Sequence, residues 1–261
     1  MFSSASTASC PSPVAGGLRV VGGELSSVRK DISVELYGGN DAGEIKSVCS
    51  ATYISSRTIL TAGHCLAGMK TAFIRRDVPV TATSKNRVTG SEMRRVDSFK
   101  VFPLYNNDDT SVGSSLNDVA LVTVAESDAV LDWAEINLSG VSAGPCTPVN
   151  WVGYGDSTLK AGVGRGGRRV GFNQISSILN YKDSDQTLRR LIEWSAPKDN
   201  ISLTSSFVGM GDSGAGLFND DGEVVGVVNA KTKIADVKGE YHAYGTDLSD
   251  PKVSEWINDN I

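Results

Sequence analysis

The feature that most constrains the fold of this chain is its succession of short β-type segments. Segments such as "SVELYG", "CSATYIS", "TILTAG", "DVALVTV" and "EVVGVVNA" are rich in Val, Ile, Thr and aromatic residues and are bounded by Gly, Asn, Asp or Ser. Many short strands with turn signals between them predict an antiparallel β-sandwich or β-barrel.

Composition narrows the class of protein. With 261 residues, the chain can form one large or two small domains, and its 40 % hydrophobic and 21 % charged residues are ordinary for a soluble globular protein. The net charge of −5 is spread along the sequence, which argues against a nucleic-acid partner. No apolar stretch approaches the roughly 20 residues that a membrane span needs. We expect a monomer.

Helical signals are few. In the terminal "LSDPKVSEWINDNI", Asp250 can cap a first turn and Pro251 suits the first helical position. The apolar face of this helix would consist of Val253, Trp256 and Ile257. A second segment, "QTLRRLIEW" at 186–194, fits a helix or an edge strand equally well.

Two further segments are interpreted from composition. The acidic, apolar-poor residues 124–136 are predicted to link two halves of the chain. The glycine-rich residues 155–171, which contain Arg165, Arg168 and Arg169, are interpreted as a solvated loop that is open to proteolysis.

The four cysteines are too widely spaced for a compact zinc site. They are Cys10, Cys49, Cys65 and Cys146. An even count in a chain rich in Gly, Ser and Thr fits two disulfides in an oxidising compartment, and four buried free thiols in a cytosolic protein are the alternative.

Three polar residues stand at turns or strand ends where catalysis could occur. Ser213, in "GMGDSGAGLF", is either a turn residue or a nucleophile. Asp-Ser-Gly is common in turns, so this stretch alone does not decide between the two. His64 ends an apolar strand, where a lone histidine is more often structural. Asp118 opens another apolar strand, so its carboxylate would be drawn toward the core and would need hydrogen-bond partners such as an imidazole.

Together these segments resemble a known family. "TAGHC", "NDVALV" and "GDSGAGL" resemble the catalytic segments of chymotrypsin/trypsin-like serine proteases, in the same chain order. "RVVGGE" resembles the activation junction of that family, and "SEWINDNI" resembles its closing helix. The resemblance implies an all-β fold of two packed antiparallel β-barrels with a short C-terminal helix. The implied parts are a leader at 1–19, a peptidase domain at 20–261 with barrels at about 20–125 and 137–249, and a helix at about 250–261.

The resemblance also implies a reaction. Ser213 would be the nucleophile of a secreted serine endopeptidase, His64 its general base, and Asp118 the partner that orients the imidazole. The N–H groups of Gly211 and Ser213 would form an oxyanion hole. Neither a cofactor nor a metal is implied.

A zymogen is implied as well. Cleavage after Arg19 by an activating protease would give Val20 a free ammonium group, which would pair with Asp212 and organise the oxyanion loop. Cys49 and Cys65 resemble the disulfide that brackets the histidine loop, which leaves Cys10 and Cys146 to pair. These features imply a secreted or periplasmic protein whose other partners are protein or peptide substrates.

The specificity pocket departs from the family pattern. Phe207 stands where trypsins carry an aspartate, and no cysteine adjoins Met210. The family's Ser-Trp-Gly strand reads Asn229, Ala230 and Lys231. The sequence therefore predicts no trypsin-like specificity and leaves apolar, small or acidic preferences open. A pseudoprotease that binds peptides with this altered pocket is the alternative function, and a plain β-sandwich adhesion domain is a more distant one.

Overall fold

The structure of the protein is a computed structural model. It describes residues 29–76, 93–105, 116–139, 144–158, 166–182, 186–197, 199, 201, 206–231 and 236–261, and also 24–25; for 24–25 and 230–231 the backbone alone is described. The strands are β1 (Glu24–Leu25), β2 (Ser33–Gly39), β3 (Ile45–Tyr53), β4 (Thr58–Thr61), β5 (Thr71–Arg75), β6 (Arg94–Arg95), β7 (Ser98–Val101), β8 (Ala120–Thr123), β9 (Pro148–Gly153), β10 (Arg169–Gln174), β11 (Ser177–Lys182), β12 (Leu188–Pro197), β13 (Gly216–Phe218), β14 (Val224–Lys231) and β15 (Glu240–Asp247). The C-terminal helix is α1 (Pro251–Asn258).

Seven strands form the first sheet, in the order β6-β5-β2-β3-β4-β8-β7, with antiparallel neighbours. Side chains of β2 alternate between two buried environments, as the period of two along a strand requires. Val34 and Leu36 lie in the hydrophobic core, whereas Glu35 pairs with Arg75 on the neighbouring strand (Nε to Oε2, 2.9 Å). Both faces of β2 are therefore covered.

Eight strands form the second sheet, in the order β1-β10-β9-β13-β14-β15-β12-β11. The segment that fits a helix or an edge strand forms β12, which lies inside the sheet between β11 and β15. Its residue Trp194 is fully buried, and its ring lies 5.7 Å from that of Trp151. At the other edge β1 pairs with β10, so a strand from the start of the chain belongs to the second sheet.

The two sheets share a hydrophobic core. The cluster that contains Val34 and Leu36 also includes Phe218 and Val224 of the second sheet. The predicted linker 124–136 lies against the first sheet, where its Ala134 N–H donates to the carbonyl of Tyr53 at 3.0 Å. Ile136 then forms a bridge to Val224. The predicted fold class, all-β with two packed antiparallel β-barrels and a short C-terminal helix, is confirmed: the barrels are two curled antiparallel sheets.

Helix α1 begins as the sequence predicts. The carboxylate of Asp250 accepts hydrogen bonds from the backbone N–H groups of Lys252 and Val253, and proline occupies the first turn. The buried face of the helix contains Val253 and Ile257, and Trp256 meets Phe102 of the first half edge-on at 5.3 Å. The helix thereby joins the two halves. No helix among the described residues is long and apolar enough to cross a membrane.

Candidate active site

His64 lies in a 3₁₀ turn (Gly63–Cys65) that follows β4. A disulfide between Cys49 of β3 and Cys65 fixes the end of this turn to the first sheet. The side chain of His64 is 32 % exposed, so the imidazole is partly open to solvent. The turn therefore presents a ring that a substrate could reach.

Asp118 lies two residues before the start of β8, which pairs with β4. Its carboxylate accepts two hydrogen bonds from His64: one from the backbone N–H to Oδ1 and one from ring Nδ1 to Oδ2, each at 2.7 Å. Its side chain is only 7 % exposed. The buried carboxylate of Asp118 therefore has the imidazole of His64 as a hydrogen-bond partner, as expected for a carboxylate at the start of an apolar strand.

The protonation of His64 depends on two opposed effects. Burial lowers the pKa of the imidazole, but the charge of Asp118 and the hydrogen bond to it raise the pKa. The combined effect of Asp118 is larger than that of burial, so the pKa of His64 is raised above its ordinary value.

Ser213 lies in the turn before β13, close to the imidazole. Its carbonyl oxygen accepts a hydrogen bond from the N–H of Ser50 at 2.8 Å. Both that oxygen and Nε2 of His64 lie within 3.9 Å of the Cys65 sulfur. The hydroxyl of Ser213, however, donates to the carbonyl of Asn229 at 3.2 Å. In this rotamer the hydroxyl is not hydrogen-bonded to the imidazole.

The turn that contains Ser213 packs tightly between the two sheets. Gly214 has a φ of +87°, and a Cβ at this position would overlap Thr61 Oγ1 and the carbonyl of Ser50. Its N–H donates to the carbonyl of Val228 at 2.7 Å. The residue after Ser213 in "GDSGAG" must therefore be glycine, because there is no room for a side chain at this position.

The loop before Ser213 leaves two backbone donors available. The carbonyl of Met210 accepts from the N–H of Asp156 at 2.9 Å. Because the C=O and N–H of one trans peptide point in opposite directions, the N–H of Gly211 points away from Asp156. Among the described residues, neither this N–H nor that of Ser213 donates to a protein acceptor. Such a pair of donors can bind a developing negative charge.

Asp212 is fully buried. Its Oδ1 accepts from the N–H of Gly155 at 2.9 Å, and its Oδ2 accepts from that of Gly209 at 2.7 Å. Burial lowers the pKa of Arg169, and the negative charge of Asp212 opposes that shift. Arg169 therefore lies within electrostatic reach of Asp212.

Arg168 and Arg169 correct the interpretation of residues 155–171 as a solvated loop, whereas Arg165 lies outside the described residues. Arg168 is 4 % exposed and Arg169 is 9 % exposed, so neither lies in a solvated loop. Arg169 begins β10, whose pairing with β9 draws its side chain into the interior. Local composition could not show this, because the negative charge near Arg169 belongs to Asp212, 43 residues further along the chain.

The predicted specificity residues differ in their accessibility. Phe207 is fully buried, with its ring 5.6 Å from that of Tyr241, whereas Met210 is 56 % exposed. The side chain of Asn229 is hydrogen-bonded to Thr246 beneath the site, at 2.8 and 2.9 Å. Lys231 pairs with Ala243 along the strand. Asn229 thus reaches Ser213 through its carbonyl alone.

Among the described residues, two groups of side chains lie close enough together to hold a metal ion. Cys49, His64 and Cys65 are neighbours, but both sulfurs belong to one disulfide. Asp236, Glu240 and His242 form the other group, and Nε2 of His242 lies 3.3 Å from Oδ2 of Asp236. A hydrogen bond between the ring and the carboxylate accounts for that contact.

The predicted N-terminal features lie outside the described residues. These are Cys10, Arg19 and Val20. Cys146 is disulfide-bonded, and its pairing with Cys10 stays a prediction.

Two curled antiparallel sheets with a His–Asp pair beside a serine turn define a class, the chymotrypsin-like serine protease fold. Residues 20–257 match the trypsin family, and the chain therefore belongs to that family. A search of curated protein sequences finds no significant match.

Solved structures share the fold at low sequence identity. HL collagenase has a TM-score of 0.59 and 15 % identity, over 95 % of this chain and 98 % of that one. A thermostable serine protease, AL20, from an extremophilic microorganism has a TM-score of 0.57 and 11 % identity, over 89 % and 99 %. The active form of the Rv3671c protease from M. tuberculosis has a TM-score of 0.56 and 16 % identity, over 96 % and 89 %.

Proposed function

We propose that this protein is a serine endopeptidase that cleaves protein or peptide substrates with Ser213, His64 and Asp118. The observation that carries the proposal is the doubly hydrogen-bonded pair of His64 and Asp118, which lies beside the turn of Ser213. A buried carboxylate, a half-open imidazole and a serine in this order form the set that activates a hydroxyl nucleophile.

The reaction would proceed in two steps. The oxygen of Ser213 attacks the substrate carbonyl carbon while Nε2 of His64 accepts the hydroxyl proton. His64 passes that proton to the leaving amine as the peptide C–N bond breaks, which leaves an acyl-enzyme. Water, deprotonated by His64, then attacks the acyl carbon. The ester C–O bond breaks, and His64 returns the proton to the oxygen of Ser213 as the carboxylic acid product leaves. Asp118 keeps the Nδ1 proton in place and stabilises the imidazolium.

The observed rotamer of Ser213 is compatible with this role. Attack requires the hydroxyl to leave the carbonyl of Asn229 and turn toward His64. One neutral hydrogen bond contributes only about 0.5–1.5 kcal/mol net. A hydrogen bond to the imidazole would replace it. The free-energy cost of the rotamer change is therefore small compared with the activation free energy of peptide hydrolysis.

The oxyanion hole would consist of the N–H groups of Gly211 and Ser213. Both are without a protein acceptor in the described part of the chain, and Gly211 has a φ of +103°, which suits glycine. Two such donors, held before the reaction starts, stabilise the charge that develops on the carbonyl oxygen.

Activation by cleavage after Arg19 is part of the proposal. The free ammonium of Val20 would pair with Asp212, which lies directly before Ser213 and is already buried. Two backbone amides and the charge of Arg169 bear on this carboxylate. Because Asp212 lies between Gly211 and Ser213, a change in its hydrogen-bond or ion-pair partners would change the conformation of the proposed oxyanion loop.

The substrate would carry a small or apolar side chain at the cleaved bond. The ring of Phe207 is fully buried against Tyr241 at the expected base of the pocket. It offers no negative charge that could pair with an Arg or Lys side chain of a substrate. The Cys49–Cys65 disulfide fits secretion or a periplasmic location, since such bonds persist in oxidising compartments. We propose that the protein acts there as a monomer.

One observation favours a second candidate, a pseudoprotease that binds peptides. The hydroxyl of Ser213 bonds to a backbone carbonyl instead of the imidazole. If that rotamer persisted in the activated protein, His64 could not deprotonate the serine.

Labelling with a serine-directed phosphonate tests the proposal on the full chain after activation. We expect labelling of the wild type and its loss in Ser213→Ala and His64→Ala. His242→Ala is the matched control, since His242 is the only other histidine in the sequence and bonds Glu193 and Asp236 instead. Binding of peptides without any labelling would support the pseudoprotease instead.

A further inference from the structure

A buried arginine connects the two halves of the molecule next to Asp118. Arg189 lies on β12 of the second sheet, with its side chain 3 % exposed. Its Nε donates to both carboxylate oxygens of Asp250, at 3.0 and 2.8 Å. Asp250 is fully buried and also caps α1. One end of the guanidinium is thus anchored in the second half of the molecule.

The other end of the guanidinium reaches the first half. Its Nη2 donates to Oδ1 of Asn117 at 2.7 Å, and to the carbonyl of Leu116 at 3.4 Å. Asn117 directly precedes Asp118, and Leu116 is buried. The arginine therefore holds the segment that leads into the aspartate.

A second contact holds Asp118 itself. The hydroxyl of Thr246 on β15 donates to the carbonyl of Asp118 at 3.3 Å. The side-chain amide of Asn229 fixes that threonine, and the carbonyl of Asn229 accepts from Ser213. The 116–118 segment is therefore attached to the second sheet at two places, by Arg189 and by Thr246.

Such attachment matters because the reacting groups belong to different sheets. His64 and Asp118 lie on the first sheet, and Ser213 on the second. A misplacement of about 1 Å between reacting groups can reduce a rate by about 10²-fold. We propose that Arg189, acting through Asn117, is a positioning residue that sets Asp118, and with it His64, relative to Ser213. This inference rests on the proposed peptidase function.

The chemistry of arginine suits the task. Its planar guanidinium presents donors in fixed, diverging directions, so it can bond a carboxylate with one edge and an amide oxygen with the other. A lysine has one point charge and cannot hold both partners in the same geometry.

The test uses Asn117→Ala in the activated full chain, because this change removes the contact to Arg189 and leaves the buried Arg189–Asp250 pair intact. We expect kcat to fall about 10- to 100-fold with KM within twofold of the wild type. The acid limb of kcat/KM should move to lower pH, since Asp118 would raise the pKa of His64 less. Asn117→Asp retains an acceptor oxygen and should recover most of kcat.

Arg190→Met is the matched control. Arg190 adjoins Arg189 on β12 and pairs with Asp247 at 2.8 Å, but that contact does not involve the 116–118 segment. A general loss of stability would therefore affect both variants, whereas the shift of the pH profile should occur in Asn117→Ala alone. Equal effects of the two variants on kcat and pH profile would overturn the inference.

A readout without turnover separates the two proposals. The proton between Nδ1 of His64 and Asp118 gives a low-field NMR signal, which we expect to be lost or shifted in Asn117→Ala and retained in Arg190→Met. An unchanged signal in Asn117→Ala would overturn the positioning inference. A wild type that shows this signal but neither reacts with the phosphonate nor cleaves peptides would overturn the peptidase function instead.

Discussion

Asp118 accepts two hydrogen bonds from a single residue, one from the backbone N–H of His64 and one from its ring, each at 2.7 Å. The first bond sets where the histidine turn lies, and the second sets how its ring is oriented. Because both end on one buried carboxylate, the position and the tautomer of His64 are coupled.

Asp118→Asn should disable the imidazole without large structural change. The amide has the same shape as the carboxylate, but its charge is lost and its NH₂ group can impose the wrong tautomer on His64. We expect kcat to fall by about 10²–10⁴-fold, the usual contribution of a general base. Steady-state kinetics will measure this, with the half-exposed Asp97→Asn as control. A loss below tenfold would contradict the assigned role.

The pH dependence follows from the raised pKa of His64. Burial lowers this pKa, and Asp118 more than offsets the effect. Since catalysis needs the neutral imidazole, the activity should fall as pH drops through a midpoint above the ordinary value of about 6.5. In Asp118→Asn burial acts alone, so an NMR titration should place the midpoint lower than in the wild type. A wild-type midpoint below 6.5 would be inconsistent with the pair.

Activation is tested by blocking the predicted cleavage. Arg19→Gln should keep peptidase activity low when the chain is treated with trypsin, while the wild type gains activity and a new N-terminus at Val20. Lys30→Gln, at an exposed position, controls for removal of a nearby basic residue. N-terminal sequencing and peptide turnover are the measurements. Uncut chain that is as active as cut chain would refute the zymogen.

The pocket prediction concerns Phe207. A peptide library should show cleavage after small or apolar residues, and trypsin-like cleavage after Arg or Lys would contradict it. Phe207→Ala should admit larger side chains, because it removes a buried ring at the proposed base of the pocket. The same change should lower the free energy of unfolding by about 3–5 kcal/mol, the usual cost of such a core truncation.

Gly214→Ala should destabilise the serine turn. The added methyl group would overlap Thr61 and the backbone of Ser50 in addition to straining a φ of +87°. Gly222→Ala is the control: Gly222 has a φ of +82° and open space around it, so the added methyl group causes backbone strain without steric overlap. That strain should lower the free energy of unfolding by about 1–3 kcal/mol. Urea denaturation should show a larger loss for Gly214→Ala. Equal losses would mean that the turn can relax.

Much of the fold could be predicted because its signals are local. Short β-type runs predicted an all-β protein, and Asp250 with Pro251 predicted the start of α1. The segment 186–194 remained ambiguous, since alternation and helical periodicity are hard to separate over nine residues. Pairing with two neighbouring strands decided its structure as β12.

The sequence by itself determined which residues could carry the chemistry. His64, Asp118 and Ser213 each lie in a short motif whose turn residues and apolar flanks can be recognised locally. Only the tertiary structure decided the hydrogen-bond partners of these residues and their neighbours: the carbonyl of Asn229 for Ser213, the amide of Gly155 for Asp212, and Arg189 for Asn117, 72 residues away in the chain. The physical reason is that burial and hydrogen bonding depend on how two separately hydrogen-bonded sheets pack together, which no local pattern of residues encodes.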